Sequence, residues 1–191
     1  SMHVAETDVE EAMAELLEPS PLGRMLDIGT GTGRGIELFA ARSAQFTALD
    51  NNGEMLRLAR AKLAGLVPQT LDASRVEITL GDFNALPLAD DSFDTILLHQ
   101  VLHYAQNPGR VMAEAARVLR PGGRMRIVDF ATHDREELRS IHAHARLGFA
   151  DSHVESYFRD SGIRMAHSRT LDSGELAVKI WLGRDTSDHE R

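Results

Sequence analysis

Apolar residues along the chain follow two rhythms, the period of an amphipathic helix and the near-continuous runs of buried strands. Val9, Met13, Leu16 and Leu17 fall on one stripe of an acidic segment, and Thr7 with Glu10 forms a capping box. That spacing predicts a helix over 7–18, ended by Pro19 and Pro21. Met25-Leu26-Asp27-Ile28 reads as a strand running into Gly29-Thr30-Gly31-Thr32-Gly33, and Ile36, Leu38, Phe39 and Ala40 continue as a helix. Phe46–Leu49 is a second strand ending at Asp50, followed by a helix over Glu54–Leu63. Val76–Leu80 is a third, stopping at Gly81-Asp82. Phe93–His99 is a fourth, with Ile96, Leu97 and Leu98 unbroken, as strands covered on both faces are.

The next helix has clear boundaries: Asn107 as N-cap, Pro108 in the first turn, Arg117 and Arg120 in the last, then Pro121-Gly122-Gly123. Met125–Phe130 is a fifth strand. A helix capped by Asp134 with Glu137 closes at Gly148, and a shorter one runs from Ser152, with Glu155, to Gly162. Two β segments finish the pattern, Ile163–Leu171 and Leu176–Leu182, joined by Asp172-Ser173-Gly174. Repeated strand–helix alternation predicts an α/β, Rossmann-like three-layer sandwich: a mostly parallel seven-stranded sheet with an antiparallel edge strand. The expected organisation is a single domain over 1–183 with a polar tail over 184–191.

Charge narrows the partners. Across 191 residues, 21 Lys and Arg face 29 Asp and Glu, a net charge of −8. That balance argues against nucleic acid or an anionic membrane as a partner of this domain, since both need a basic footprint. No run approaches a membrane span, no signal layout is present, and a cytoplasmic protein is expected. Ser1 ahead of Met2 reads as a cloning scar. The absence of cysteine excludes disulfides, thiolate metal sites and a cysteine nucleophile.

Ligands of such sheets bind beyond the carboxyl ends of the strands, so the chemistry is sought there. Asp27-x-Gly29-x-Gly31-x-Gly33 is not the dinucleotide fingerprint, because Arg34 falls where its last glycine belongs. An acid at the front of the loop suits a cationic group better than a phosphate. Asp50, about twenty residues on, can accept two hydrogen bonds from a ribose diol, with helix capping as the bland alternative. Asp82 suits an exocyclic amine such as that of adenine, or else caps the turn at Asn84-Ala85-Leu86-Pro87.

These residues resemble the class I S-adenosylmethionine-dependent methyltransferases, from Met25 to Val128 without a gap. Leu26–Gly33 is similar to the family's first motif, Asp50 to its ribose-binding acid and Gly81-Asp82-Phe83 to its adenine-side motif. Leu86-Pro87-Leu88 with Asp91-Ser92-Phe93-Asp94, and Leu119-Arg120-Pro121-Gly122-Gly123, match the approaches to the fourth and fifth strands. The resemblance implies S-adenosylmethionine as cofactor. It would be held by Asp27, Gly29, Thr30, Gly31, Asp50, Asn51, Met55, Gly81, Asp82, Phe83 and His99. A narrower resemblance joins His99–Tyr104, Asp129–Asp134 and His142–Phe149 to the methyltransferase half of bacterial arsenic-repressor-like regulators. It implies a domain lifted from a longer transcription factor, with a stand-alone relative as the alternative. Arsenite methyltransferases of the same superfamily hold the metalloid with cysteines, which this chain lacks.

The loop after the fourth strand reads His99-Gln100-Val101-Leu102 rather than the Asn/Asp-Pro-Pro-aromatic loop of base methyltransferases. A small-molecule acceptor is therefore expected, with no nucleic acid and with a homodimer left open. Among His99, His103, Tyr104, Asp129, His133, His142 and His144, the expected catalytic groups are His103 and His142, able to take a proton from an acceptor O–H or N–H. His99 and His103 sit four apart, a spacing that could suggest a metal pair, but no metal is expected. Two rivals stand beside the enzyme: a non-catalytic cofactor- or metabolite-sensing domain, and a nicotinamide-dependent oxidoreductase that the loop spacing disfavours.

Overall fold

Successive side chains of a strand point to opposite faces, so unbroken apolar runs such as Ile96-Leu97-Leu98 need helices on both sides of the sheet. The computed structural model describes residues 6–17, 21–67, 71–131, 148–171 and 177–187. The strands are β1 (Arg24–Ile28), β2 (Gln45–Asp50), β3 (Val76–Leu80), β4 (Phe93–His99), β5 (Leu119–Phe130), β6 (Ile163–Leu171) and β7 (Val178–Asp185). They form one seven-stranded sheet in the order β3-β2-β1-β4-β5-β7-β6. Neighbours from β3 to β5 are parallel, whereas β7 runs antiparallel to both β5 and β6. The order reverses between β1 and β4, which opens a crevice beyond their carboxyl ends.

The helices are α1 (Glu6–Leu17), α2 (Arg34–Phe39), α3 (Gly53–Leu66), α4 (Pro108–Val118) and α5 (Asp151–Asp160). Met25, Phe46 and Ala48 point to one face, where Val9 and Met13 of α1, Ile36 and Phe39 of α2 and Ala59 of α3 cover them. Leu26, Ile28, Ile96 and Leu98 point to the other, under Val111, Met112 and Ala115 of α4 and Val154 and Phe158 of α5. The anticipated doubly covered sheet is present.

Several boundaries differ from the expectation. Helix α1 begins before Thr7, so Thr7 is not its cap, and the Glu10 carboxylate instead pairs with Arg34 Nε at 2.6 Å, pinning α2 to α1. Arg120 lies in β5 rather than at the end of α4. Leu119 pairs with Phe93 first, and regular pairing resumes only at Arg124 opposite Thr95, so Pro121-Gly122-Gly123 forms an irregularity inside an extended strand. Helix α5 starts at Asp151, not Ser152, because the Asp151 carboxylate accepts from Trp181 Nε1 at 2.8 Å and pairs with Lys179 of β7. Strand β7 continues through Asp185, pairing Arg184 with Arg124. The helix expected from Asp134 and the turn at Asp172-Ser173-Gly174 lie outside the described residues, apart from Gly148, which closes that helix in the sequence reading.

No helix joins β3 to β4. That connection is fastened to α4 by a buried acid: Glu114 Oε1 accepts the amide of Leu86 at 2.8 Å, and its Oε2 accepts Arg117 Nε at 2.8 Å. Arg117 in turn donates to the carbonyls of Leu86 and Leu88, both at 2.9 Å. Its guanidinium holds the Glu114 carboxyl below the ordinary range. The stabilisation is thus complete above that range and is lost as pH falls through the folded-state value. In urea unfolding, Glu114→Gln is expected to cost about 1–3 kcal/mol at neutral pH and progressively less in acid. An equal cost at both would contradict the charged clamp.

Candidate active site

The glycine loop after β1 is shaped by where its amides go. The amides of Gly29 and Thr30 both donate to the carbonyl of Leu49, at 2.8 and 2.9 Å, and that of Gly33 donates to Thr30 O at 3.0 Å. Gly31 N donates to Asp50 Oδ2 at 2.8 Å. A pyrophosphate needs such amides open and aimed at it. Here they are engaged, one of them by a carboxylate that would repel it.

Two glycines are required sterically. Gly29 has φ 79°, and a Cβ there would stand 2.3 Å from Val101 Cγ2. At Gly35 a Cβ would meet Asp27 Oδ2 at 2.2 Å, so Gly35, which the fingerprint comparison overlooked, supplies the close approach of helix to strand. Asp27 is buried beneath the loop and accepts from Thr30 Oγ1 at 2.8 Å. Burial pushes its carboxyl up to about 6, the Thr30 bond opposes that, and the nearby charge of Asp50 adds to it.

Asp50 works in two directions. Its second oxygen accepts from Asn52 N at 3.0 Å, while the Asn52 side chain caps α3 through the amides of Glu54 and Met55, at 3.0 and 3.3 Å. A cavity of about 550 Å³ opens from this point. Gly29, Asp50, Asn51, Asn52 and Met55 line one side. Phe83 and Asn84 close it from the β3–β4 connection. Gln100, Val101, Tyr104, Ala105, Gln106 and Val111 line the side beyond β4.

Of the residues expected to hold a cofactor, Gly29, Asp50, Asn51, Met55 and Phe83 therefore meet at one cavity. Asp27, Thr30 and Gly31 lie in β1 and the loop that follows it, next to Gly29 and Asp50 but outside the cavity lining. Gly81 packs against Pro87, and Asp82 is exposed, its Oδ1 accepting from Asn84 N and Nδ2 at 2.8 and 3.2 Å. Asp82 thus makes the turn that carries Phe83 and Asn84. His99 ends β4, half-buried, outside the cavity lining.

His103 sits in a short turn of 3₁₀ helix over Leu102–Tyr104, not on a helix shared with His99, so their spacing makes no metal pair. It is buried, with Nδ1 2.8 Å from Asp129 Oδ1 and its backbone amide 3.3 Å from Asp129 Oδ2. With Asp129 as the acceptor, the imidazole donates through Nδ1, and the ring lies behind the cavity wall rather than in its lining. His133, His142 and His144 lie outside the described residues. Among the described residues, no three His, Asp or Glu side chains converge as a metal site, and no helix is long and apolar enough to cross a membrane.

Asn52, Asn84, Gln100, Val101, Ala105, Gln106 and Val111 line the cavity without having been singled out as site residues by the sequence. Asn52 carried a usable signal, a cap residue ahead of Glu54. Gln100 carried none: it adopts φ 56° although it is not glycine, which only the backbone reveals.

The Methyltransferase domain family profile matches residues 26–127. The malonyl-[acyl-carrier protein] O-methyltransferase of Methylococcus capsulatus is 38% identical over 168 residues, covering 83% of this chain and 58% of that protein. A phosphatidylethanolamine N-methyltransferase of Cereibacter sphaeroides is 32% identical over 162 residues, covering 81% and 76%. The chain spans about half the length of the curated relatives it matches first. Among solved structures, a SAM-dependent methyltransferase of Methanosarcina mazei superposes with TM-score 0.75 at 18% identity, covering 92% of this chain and 98% of that one. An arsenic(III) S-adenosylmethionine methyltransferase of Chlamydomonas reinhardtii shares the fold at TM-score 0.68 and 22% identity, covering 91% and 67%. With the profile spanning the glycine loop, Asp50 and the β4 end, the chain belongs to the class I S-adenosylmethionine-dependent methyltransferases.

Proposed function

We propose that this domain binds S-adenosylmethionine across the ends of β1, β2 and β3 and directs its methyl group to a small-molecule acceptor beyond β4. The observation that carries the reading is the hydrogen bond from Gly31 N to Asp50, which closes the loop to phosphate while placing a carboxylate in the cavity. When bound, the cofactor supplies a methyl activated on a sulfonium, together with a cationic ammonium and no phosphate. Asp50 retains lone pairs for a ribose diol beyond those engaged by Gly31 and Asn52. Met55 and Phe83 offer apolar surface to the adenine, with Asn51 beside them. Asp27, Gly29, Thr30 and Gly31 form the floor under the methionine portion, and His99 stands at its far end. Gly81 and Asp82 act on the adenine side through the turn they build.

His103 is the base in this reading, its ring oriented by Asp129 through Nδ1. His142 is the alternative base. Alignment by the cavity walls can supply most of the acceleration, since the methyl is already activated. The relatives' names specify an O-methyltransferase and an N-methyltransferase, so they do not choose among acceptor atoms. The likeness of His99–Tyr104 and His142–Phe149 to regulator fusions supports a second reading, a cofactor-sensing domain; a methylated product from a metabolite extract separates the two.

Calorimetric titration with S-adenosylhomocysteine is expected to give micromolar binding. Asp50→Ala should weaken it by about 1–3 kcal/mol, since ribose hydroxyls and two loop amides lose their acceptor. Asp82→Ala should weaken it less. No binding by the intact wild-type domain would overturn the proposal.

Asp27 gives a second test with opposite signs. Its carboxyl titrates higher folded than unfolded, so stability of the ligand-free domain falls as pH rises from about 4 to about 6. Above that window the buried charge is a standing cost on the order of 2–3 kcal/mol. Asp27→Asn is expected to raise Tm at pH 8, to lose that advantage near pH 4, and to weaken cofactor binding. A variant less stable than wild type at pH 8 would contradict the buried-charge account.

A further inference from the structure

Away from the cavity, arginines line up across the far edge of the sheet. Register sets Arg124 of β5 opposite Arg184 of β7, and Arg184 opposite Arg164 of β6. Residues directly opposite on neighbouring strands put their side chains on one face, about 5 Å apart. It is the face that α1 covers further along, since Val128 and Val178 point the same way. Arg164 and Arg184 are exposed, and Arg124 is half-buried, its Nη2 donating to Pro21 O at 2.7 Å. The register shift after Met165 brings the exposed His167 to the same face, opposite Leu182.

Like charges set directly opposite cost a sheet stability. Among the described residues nothing offsets that cost: Arg164 and Arg184 make no ion pair there. Asp94, the acid that acts on Arg124, is already engaged by Arg120 at 3.1 Å and by the amide of Arg24 at 2.9 Å. The field of the row reaches inward, where burial and the charges of Arg124 and Arg184 bring Arg126 down to about 9. At the outer end of the row a cavity of about 330 Å³ adds Arg159 beside Arg164, with Glu155 as the acid in its described lining.

Spacing selects the occupant. Acids one turn apart on a helix recur about every 5.4 Å, close to the distance between neighbouring strands. A helix laid across the strands can therefore meet Arg124, Arg184 and Arg164 in turn with carboxylates at i, i+4 and i+7, each suited to the guanidinium fork. A long polyanion such as DNA would feel the net charge of −8 of the whole chain, whereas a short acidic helix meets the local row.

We propose that the row Arg124–Arg184–Arg164 is a docking surface for an acidic amphipathic helix of a partner protein. It lies where β5 begins its regular pairing, at the opposite end of the strands from the cofactor cavity, so a partner can be held without closing that cavity.

The test is fluorescence anisotropy of the whole chain at about 50 mM salt, where surface charges are weakly screened. The probes are a labelled alanine-based helix with glutamates at i, i+4 and i+7, its glutamine counterpart, and a short DNA duplex. The glutamate helix is expected to bind and the glutamine helix not to bind. The double variant Arg164→Glu, Arg184→Glu should weaken binding by at least about tenfold. Arg184→Gln removes a repelled charge without adding an acid, so it should weaken binding by about threefold while Tm stays unchanged or rises. That variant keeps the test open if the double variant does not fold. No binding of the glutamate helix to wild type, equal binding of the glutamine helix, or an affinity unchanged in Arg184→Gln would overturn the proposal. Tighter binding of the duplex than of the helix would overturn it in favour of nucleic acid. Wild-type dimerisation that Arg184→Gln abolishes would overturn it in favour of a second copy of this chain.

Discussion

One carboxylate organises the carboxyl edge of the sheet. Asp50 takes the amide of Gly31 on one oxygen and that of Asn52 on the other, and so ties the loop after β1 to the cap of α3. Each contact is an ordinary charge-assisted bond, but together they set where the loop amides point and where Met55 enters the cavity. The electrostatic character of the site follows. A loop of this composition could have presented bare amides to a phosphate; bent onto Asp50 and the Leu49 carbonyl, it leaves an acidic floor suited to a cation-bearing ligand. Burial of Asp27 beneath it deepens that character and costs stability in the ligand-free state, which binding of a cation can return.

Across the crevice, the chain leaves β4 through a strained residue. Gln100 sits at φ 56°, with its amide held 2.6 Å from Val128 O of β5. A non-glycine residue there costs of order 1 kcal/mol, and such positions cluster at functional sites. The consequence is local and specific: the turn lays Val101 over Gly29 and delivers His103 to Asp129. The two halves of the site therefore depend on each other. The glycine loop needs a missing Cβ to admit Val101, and the β4 loop needs the end of β5 to hold its turn.

Where the sequence was informative, the signal was physical and local. Strands β3 and β4 end where their apolar runs meet Gly81 and Gln100, and β6 starts just after Gly162. Asn107 and Pro108 mark α4 because a side-chain acceptor and a missing donor satisfy its first turn. What stayed hidden came from long-range contacts. Pairing of Leu119 with Phe93 pulled Arg120 into β5, and the pull of Trp181 and Lys179 on Asp151 moved the start of α5. Within the site, the strand-end acids could be read because carboxylates at those places have few uses. Asp82 shows the limit of that logic, since its carboxylate turns the chain and leaves the cavity wall to Phe83 and Asn84. Gln100, Gln106 and Val111 reach the cavity through backbone conformation and helix packing, which no spacing rule encodes.

Backbone amide NMR of the ¹⁵N-labelled domain, titrated with S-adenosylhomocysteine, reads the Asp50-organised loop residue by residue. Binding at the Asp50-organised loop requires saturable shifts at Gly29, Thr30, Gly31, Asn51 and Asn52, with Phe83 and Val101 following at the same ligand concentration. Saturable shifts confined to other parts of the sheet, or no shifts at all, would contradict it.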